Sequence, residues 1–356
     1  MLKRQNQLRK ALKENGLDAA LLSSAVSIRY YTGFTSDECI VLLTMDGCRL
    51  ITDFRYTIQA VQQCGEAAEV MEINARADQL EAARTIVKEK GIRNCAYEDA
   101  RLTVRQFSDF SAFGISWTPF SDQIELPRLI KSPDEVANMQ KAQQIADAAF
   151  GRILDDIRPG ATEKEIAAKL LYHCAMLGSE GPSFDPIVGS GENGAMCHAI
   201  PSERKLREGD LIVLDFGCKY NGYCSDMTRT VGIGKIDPEL KKIYDITLET
   251  QRMCLDAVHS GIRGYDLDMI AAGNIEKHGY GKCFGHGLGH GFGLEIHEQP
   301  RASAVSKDTL LSGMTITVEP GIYLEGKGGV RIEDCGVVTE DGYLDLVTST
   351  KELIIL

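Results

Sequence analysis

Two aspartates on the arms of one predicted hairpin could bind a metal. Residues 211–214 have the pattern of a buried strand that ends at Asp215, and Asn221-Gly222 is the pair favoured in a two-residue type I′ hairpin loop. Folding the chain about this loop places Asp226 opposite Gly217, so both carboxylates face the same side, roughly 7–8 Å apart at the backbone. Two metal ions, typically ~3.5–4 Å apart, fit between such side chains. An ordinary hairpin with solvated aspartates is the alternative.

A second acidic pair repeats this arrangement later in the chain. Residues 314–319 form a predicted strand with Thr317 and Glu319 on one face, and residues 329–334 form its predicted return strand. This pairing places Glu319 and Glu333 about opposite one another. Two facing glutamates destabilise a sheet unless a cation or a proton lies between them.

Three of the seven histidines lie in one glycine-rich segment. His286, His290 and His297 lie within residues 284–298, where four glycines in nine residues exclude a helical zinc motif. Glycine instead lets the backbone approach a bound group closely. His198 follows another glycine-rich turn, so it joins these three as a site candidate. The remaining histidines lie in helical patterns and are predicted to be structural: His173, His259 and His278.

The types of donor in this set predict the chemistry. Two aspartates, two glutamates and one histidine offer mostly hard oxygen donors, which suit Mn²⁺, Co²⁺, Fe²⁺ or Zn²⁺ bound as a dinuclear pair. A structural zinc site would be richer in thiolates. Two ions can share a hydroxide, lower its pKa and polarise a carbonyl group. The candidate residues therefore predict metal-dependent hydrolysis.

The elements that carry these residues are predicted to occur twice. A helix opens at Ser132 with a capping box and a following proline, and a second helix follows it. The same order returns from Asp237, which lies 105 residues after Ser132, while Glu319 lies 104 residues after Asp215. We interpret these offsets as an internal duplication in which two helices precede each acidic hairpin.

The first third of the chain has a different pattern. Strands and helices alternate there, including a predicted turn at residues 30–34 and a helix at about residues 76–90, which indicates an α/β domain. No catalytic set of residues is evident in it. A boundary near Leu126-Pro127 separates the predicted domains, 1–127 and 128–356.

Composition limits the classes of partner. Of the 356 residues 25% are charged, and the net charge of −12 argues against nucleic acid and against an anionic membrane surface. The sequence contains no apolar run of 18 residues, and its first ten residues lack the apolar core of a signal peptide. The eleven cysteines have no framework spacing, so we expect reduced thiols and a cytoplasmic location.

Several motifs together resemble a known family. They are Leu-Asp-Phe-Gly, Ser-Asp-Met-Thr-Arg, Gly-His-Gly-Leu-Gly-His, Glu-Pro-Gly-Ile-Tyr and Arg-Ile-Glu-Asp-Cys, and with them comes the order Asp215, Asp226, His290, Glu319, Glu333. This set resembles the dinuclear metallopeptidases of the pita-bread fold, most closely the Xaa-Pro peptidase branch of aminopeptidase P and prolidase. The resemblance covers nearly the whole chain and implies an α+β fold. A smaller creatinase/prolidase-type α/β domain would precede a catalytic pita-bread domain with pseudo-twofold duplication.

The resemblance also implies roles for the site residues. Asp215, Asp226, His290, Glu319 and Glu333 would bind two divalent ions, with Asp226 and Glu333 bridging them and Mn²⁺ expected before Co²⁺, Zn²⁺ or Fe²⁺. Glu319 would also act as general base. The remaining catalytic candidates would contact the substrate or the tetrahedral intermediate, or lie beside the metals: His198, His286, His297 and Arg331. One departure is Met196-Cys197, where the family more often has Leu-Pro.

The expected substrates are short proline-containing peptides. The expected assembly is a homodimer in which the N-terminal domain of one subunit reaches the cleft of the other. Methionine aminopeptidase shares the five ligands but usually lacks the large N-terminal domain and the Arg-Ile-Glu-Asp motif. Creatinase and non-catalytic binding proteins of this fold should have lost some of the five. The choice between dipeptidase and aminopeptidase stays open.

Overall fold

The computed structural model describes residues 1–74 and 78–356, which divide into two compact units, Met1–Arg128 and Leu129–Leu356. The helix predicted at residues 76–90 is observed at Gln79–Glu89, and the start of that prediction lies outside the described residues. None of the helices in these two ranges combines the length and the apolar character needed to cross a membrane.

The first unit is built around one mixed sheet. Its helices are α1 (Leu2–Glu14), α2 (Ala25–Thr32), α3 (Thr57–Cys64), α4 (Gln79–Glu89), α5 (Val104–Ser111) and α6 (Ser121–Glu125). Its strands are β1 (Ala19–Leu22), β2 (Ile40–Thr44), β3 (Cys48–Asp53), β4 (Glu69–Ile73), β5 (Asn94–Tyr97) and β6 (Ser116–Pro119). The sheet order is β4-β3-β2-β1-β5-β6, with β2 antiparallel to β1 and β3 and the other pairs parallel.

Helix α2 replaces most of the turn predicted at residues 30–34. Ser24 caps the helix by accepting a hydrogen bond from the Ser27 N–H, and Gly33 ends it at φ 85°. Aromatic and β-branched residues at the end of this helix favour helices only weakly, so the sequence pattern concealed it. Tertiary contacts stabilise the helix instead, because Tyr31 is buried and its hydroxyl donates to the Ile124 carbonyl at 2.7 Å.

The second unit contains two helix pairs and the strands that follow each pair. Its helices are α7 (Pro133–Ile153), α8 (Glu163–Met176), α9 (Pro238–Ala257) and α10 (Gly264–Lys277). Its strands are β7 (Ile187–Ser190), β8 (Leu211–Phe216), β9 (Lys219–Tyr220), β10 (Tyr223–Cys224), β11 (Met227–Gly232), β12 (Gly289–Gly291), β13 (Glu298–Ala302), β14 (Thr315–Val318), β15 (Gly321–Leu324), β16 (Gly328–Arg331), β17 (Asp334–Val338) and β18 (Tyr343–Asp345). The pair α7–α8 thus precedes β8–β11, and α9–α10 precedes β14–β17, in the order that the offsets predict.

The first acidic hairpin has the predicted loop and register. Asn221 and Gly222 both have positive φ, 45° and 73°, as a type I′ turn requires. Met227 pairs with Phe216 and Tyr223 pairs with Tyr220, so continuing the same register places Asp226 opposite Gly217.

The second acidic hairpin has the predicted register but an interrupted return strand. Val318 lies opposite Asp334 and Gly321 opposite Arg331, which places Glu319 opposite Glu333. The single return strand predicted at residues 329–334 is instead divided between β16 and β17. The reason is that the Glu333 N–H donates at 3.1 Å to the Thr228 carbonyl of the first hairpin rather than across its own hairpin.

Alternation along the strands separates a helix-facing side from a site-facing side. Ile212 and Leu214 of β8 pack in one core with residues of α7 and α8, so Asp215 points to the opposite face. Ile316 and Val318 of β14 pack likewise with residues of α9 and α10. The acidic residues of both hairpins therefore project from the sheet faces away from the helices.

Candidate active site

One cavity of about 340 Å³ in the second unit contains the sequence-predicted site residues. The members of that set that line it are Asp215, Asp226, His290, Glu319, Glu333, His198, His286, His297 and Arg331. The histidines predicted to be structural do not line this cavity, and two of them face carboxylates elsewhere. His173 Nε2 lies 3.0 Å from Asp156, and His278 Nε2 lies 3.6 Å from Glu249.

His290 presents an electron pair to the acidic cluster. Its Nδ1 atom lies 3.0 Å from the Gly291 carbonyl oxygen, so Nδ1 carries the proton and Nε2 is the free acceptor. Nε2 lies 3.4 Å from Glu319 and 3.6 Å from Asp226. Burial lowers the pKa of His290 to about 3, which keeps the ring neutral. The donor atoms of Asp226, His290 and Glu333 all lie within 4.8 Å of one another.

The buried carboxylates need positive charge among them. Burial and the neighbouring Asp215 charge raise the pKa of Asp226 well above its usual value, and burial with Asp226 nearby does the same for Glu333. Burial raises the pKa of Glu319 to about 8. Arg331 forms an ion pair with Oδ2 of Asp215, whereas Oδ1 of Asp215 is buried without a hydrogen-bond partner. Converging acceptors of this kind fit divalent cations, because a cation removes the repulsion that otherwise forces them to bind protons.

One threonine supports each glutamate in the same way. Thr228 donates to Glu333 at 2.7 Å and accepts from Nε of Arg331 at 3.1 Å. Thr317 donates to Glu319 at 3.1 Å and accepts from the His290 N–H at 3.0 Å. Each hydroxyl therefore fixes one carboxylate oxygen and leaves the other oxygen of that glutamate available to a metal.

Two glycines let the strands that carry the candidate ligands approach closely. A Cβ atom on Gly217 would lie 1.9 Å from the Ser225 carbonyl oxygen, beside Asp226. A Cβ atom on Gly289 would lie 1.9 Å from the Thr317 carbonyl oxygen, beside His290. No side chain larger than hydrogen fits at either position unless the backbone moves.

Tyr323 is a site residue that the sequence pattern alone did not single out. Its hydroxyl accepts from Nη1 of Arg331 at 2.9 Å and lies 2.9 Å from Nε2 of His286. Nδ1 of His286 faces the Gly287 carbonyl at 2.8 Å, so Nε2 accepts from Tyr323. Burial lowers the pKa of His286 to about 4, consistent with this neutral acceptor. Tyr323 stands in the Glu-Pro-Gly-Ile-Tyr motif, which could have identified it.

An apolar wall and a further cation were also missed. Phe184, Ile187 and Ile296 line the same cavity as the acidic cluster, and so does the exposed Arg301. These residues come from separate segments that carry no recognisable motif. Only the folded chain brings them together.

Comparison with known proteins identifies the family. Residues 137–340 match the model of metallopeptidase family M24, and residues 4–130 match the creatinase/prolidase N-terminal domain. The chain belongs to metallopeptidase family M24. The predicted resemblance, the prediction of a metallopeptidase and the fold class are therefore confirmed.

Individual relatives cover the full chain. It is similar to the Xaa-Pro dipeptidase of Pyrococcus furiosus, with 34% identity over 99% of this chain and 100% of that protein. The solved structure of an Xaa-Pro dipeptidase from Bacillus anthracis is 40% identical, covers 100% of this chain and 99% of its own, and superposes with a TM-score of 0.96. An X-Pro aminopeptidase from Thermotoga maritima is 38% identical over 96% of this chain and 98% of its own, with a TM-score of 0.91.

Proposed function

We propose that this chain hydrolyses the Xaa-Pro bond at the N-terminus of short peptides, in a metal-dependent reaction. The observation that carries this proposal is one cavity that combines a converging set of acceptors with an apolar wall and hydrogen-bond donors. The names of the relatives support the same substrate class.

The five candidate ligands divide into two kinds. Asp226 and Glu333 would bridge two divalent ions, while Asp215, His290 and Glu319 would each bind one side of the pair. When bound, such ions lower the pKa of water and polarise a peptide carbonyl. Mn²⁺ is our first expectation, because oxygen donors dominate the set.

Glu319 would accept the proton of the attacking water. Its Oε1 atom is held by the Thr317 hydroxyl, which leaves the second oxygen free to face the cavity. Its surroundings raise its affinity for a proton, and positive charge in the site returns the carboxylate to the ionised form that a base requires. The proton then has a route to the departing proline nitrogen.

Four further side chains would orient the substrate and its intermediate. His198 and His297 line the cavity, where each offers a ring N–H. Arg331 and Tyr323 hold Asp215 and His286 in place through the contacts described above. These donors would stabilise the oxygen that gains charge when water attacks the carbonyl.

Proline at the second position follows from the shape and charge of the site. An Xaa-Pro bond has no N–H to donate, so recognition must depend on the ring and the carbonyl. Phe184, Ile187 and Ile296 supply apolar surface for the ring. The acidic cluster would attract the free amine of the first residue.

Arg301 favours the dipeptidase alternative. It is exposed and lines the cavity, so its guanidinium could pair with the free carboxylate of an Xaa-Pro dipeptide. A longer peptide lacks that carboxylate at the same position. We therefore expect Arg301→Gln to raise KM for Ala-Pro more than for Ala-Pro-Ala.

The substrate class can be tested with four peptides. Metal-loaded protein should cleave Ala-Pro, should cleave Ala-Pro-Ala less well, and should refuse N-acetyl-Ala-Pro. Ala-Ala serves as the matched control without the ring. Equal rates on Ala-Ala and Ala-Pro would contradict proline selectivity and would favour a broader metalloaminopeptidase.

We also propose a homodimer that acts in the cytoplasm. Its support is the family resemblance, an exposed apolar face with Ile58 and Val61 on α3, and eleven cysteines that are all free thiols. Light scattering should give twice the mass of one chain. A fully active monomer would contradict the dimer.

A further inference from the structure

A buried carboxylate outside the metal cluster holds the loop that carries His198. Glu163 is the first residue of α8, and its side chain is 0% exposed. The loop runs from Ser190 to Ser202, and Glu163 binds both of its ends. Oε1 accepts from the Ser190 N–H at 2.8 Å and from its hydroxyl at 2.6 Å. Oε2 accepts from the Ser202 N–H at 3.1 Å and from its hydroxyl at 2.6 Å.

The middle of the loop is tied to the same carboxylate. The side-chain amide of Asn193 lies 3.1 Å from each oxygen of Glu163. Glu163 thus accepts six hydrogen bonds from three residues, far more than a buried side chain needs for its own satisfaction. Its position at the N-terminus of α8 also favours negative charge.

This loop forms one side of the candidate active site. Cys197 and His198 line the cavity, and the Cys197 carbonyl accepts from Nη1 of Arg331 at 3.1 Å. The ring of His198 is exposed, so its position depends on the backbone that carries it. Ala199, the next residue, is buried and would contact a Cβ atom on Gly189 at 3.1 Å, which fixes that backbone against β7.

We propose that Glu163 is a positioning residue that acts through His198. The carboxylate closes the loop 190–202 at both ends and so determines where the imidazole meets the substrate. The proposal rests on the proposed function, because it assigns His198 to the Xaa-Pro reaction.

The variant Glu163→Gln separates the loss of the carboxylate from a change in volume. Glutamine fills the same space, but one end of its side chain is an amide that can only donate. In either orientation this amide faces a backbone N–H, that of Ser190 or that of Ser202. One end of the loop therefore loses its acceptor.

A control of the same residue type lies in the first unit. Glu98 is 1% exposed and accepts from the N–H groups of Ser23 and Ser24 at 2.6 and 3.0 Å, and from the Ser24 hydroxyl at 2.6 Å. Glu98→Gln creates the same conflict between donors away from the candidate ligands. Any effect of unsatisfied burial alone should appear in both variants.

The test is a double-mutant cycle on Ala-Pro with metal content measured for every variant. Glu163→Gln should lower kcat/KM roughly 10- to 100-fold at unchanged metal content, because a displaced group contributes little. Combined with His198→Ala, it should lower kcat/KM no more than about twofold below His198→Ala alone. Glu98→Gln should leave kcat/KM near the wild-type value.

Hydrogen exchange gives a readout that does not depend on turnover. Peptides covering residues 190–202 should exchange faster in Glu163→Gln and at the wild-type rate in Glu98→Gln. If Glu163→Gln does not fold, Ser202→Ala removes one of the hydrogen bonds and goes through the same cycle, with a loss of a few-fold.

Three results would overturn the proposal. They are a kcat/KM that Glu163→Gln does not change, losses that multiply in full in the double variant, and loop exchange that stays at the wild-type rate. A wild-type protein that does not cleave Ala-Pro would contradict the proposed function instead. In that case hydrogen exchange still decides whether Glu163 holds the loop.

Discussion

His290, Asp226 and Glu319 bring three electron-pair donors to one small volume. Each is an acceptor in the protonation state that its neighbours impose, so the local chemistry is defined before any ion is considered. The threonine hydroxyls add direction to this set. Residue types alone predict such a donor set, but the hydroxyl partners follow only from the folded positions.

Glu319→Gln should abolish turnover while the fold is kept. The amide is nearly isosteric with the carboxylate, but it cannot take a proton from the attacking water. We expect a fall in kcat of at least ~10²-fold. Metal content must be measured in parallel, because lost metal would lower the rate as well. A rate near that of the wild type would show that Glu319 is not the base.

The metal-free protein should become less stable as pH rises from 6.5 to about 8. Folded Glu319 has a pKa of about 8 against a usual 4.5, so between these values the folded state holds a proton that the unfolded chain has released. That contribution is complete below the unfolded pKa and disappears as pH rises through the folded one. His290 has the opposite sign, but it contributes only below its usual 6.5.

Thermal unfolding of chelator-treated protein measures this slope. Metal-loaded protein should lack it, since the ions take the place of the proton. Glu319→Gln should reduce it in the metal-free form. Equal slopes in the loaded and the metal-free wild type would contradict the interpretation.

The two hairpins show what a local pattern can and cannot predict. The Asn221-Gly222 loop and the alternation of apolar residues predict the first register, and the position of Glu319 opposite Glu333 follows from the second. The break at Glu333 could not be predicted, because its partner Thr228 lies 105 residues away. Strands β12 and β13 escaped as well, since glycine-rich segments carry no alternation.

Gly289→Ala should weaken metal binding through the strand rather than through a ligand. The added methyl group would meet the Thr317 carbonyl at 1.9 Å, so β12 must move and His290 moves with it. We expect a loss of metal affinity of roughly 10–100-fold, the size seen when groups that orient ligands are changed. Metal titration followed by calorimetry measures it.

Gly273→Ala is the matched control for that variant. This glycine lies within α10, and a methyl group added to it would have no neighbouring heavy atom within 4 Å. The same change should stabilise the helix by about 0.5–1 kcal/mol and leave metal affinity unaltered. Equal metal affinity in both variants would exclude close approach as the reason for glycine at 289.

At the scale of the whole molecule, the second unit contains the entire candidate site and both of its helix–hairpin repeats. The offset of 105 residues between Ser132 and Asp237 predicted this duplication, because both halves retained their helix starts. The apolar wall with Phe184 could not be foreseen. It depends on how segments without a motif pack together.

Each chain should bind two divalent ions. Five ligands, two of them able to bridge, exceed what a single tetrahedral site requires. Elemental analysis of protein purified without chelator should give two ions per chain, and removing them should abolish activity that added Mn²⁺ restores. One ion per chain at full activity would contradict the dinuclear assignment.

Arg229 has a consequence for how the protein is made. It is buried, and its guanidinium donates to the Glu333 carbonyl, to Asp334 and to the Ser349 and Thr350 carbonyls, the last of them 121 residues further along the chain. A ribosome therefore exposes Asp215 and Asp226 long before the residues that complete their surroundings exist. The nascent chain must carry half of an acidic site until Thr350 has emerged. Metal capture is thus a late event in the life of the nascent chain, and the segment around Thr350 licenses the enzyme.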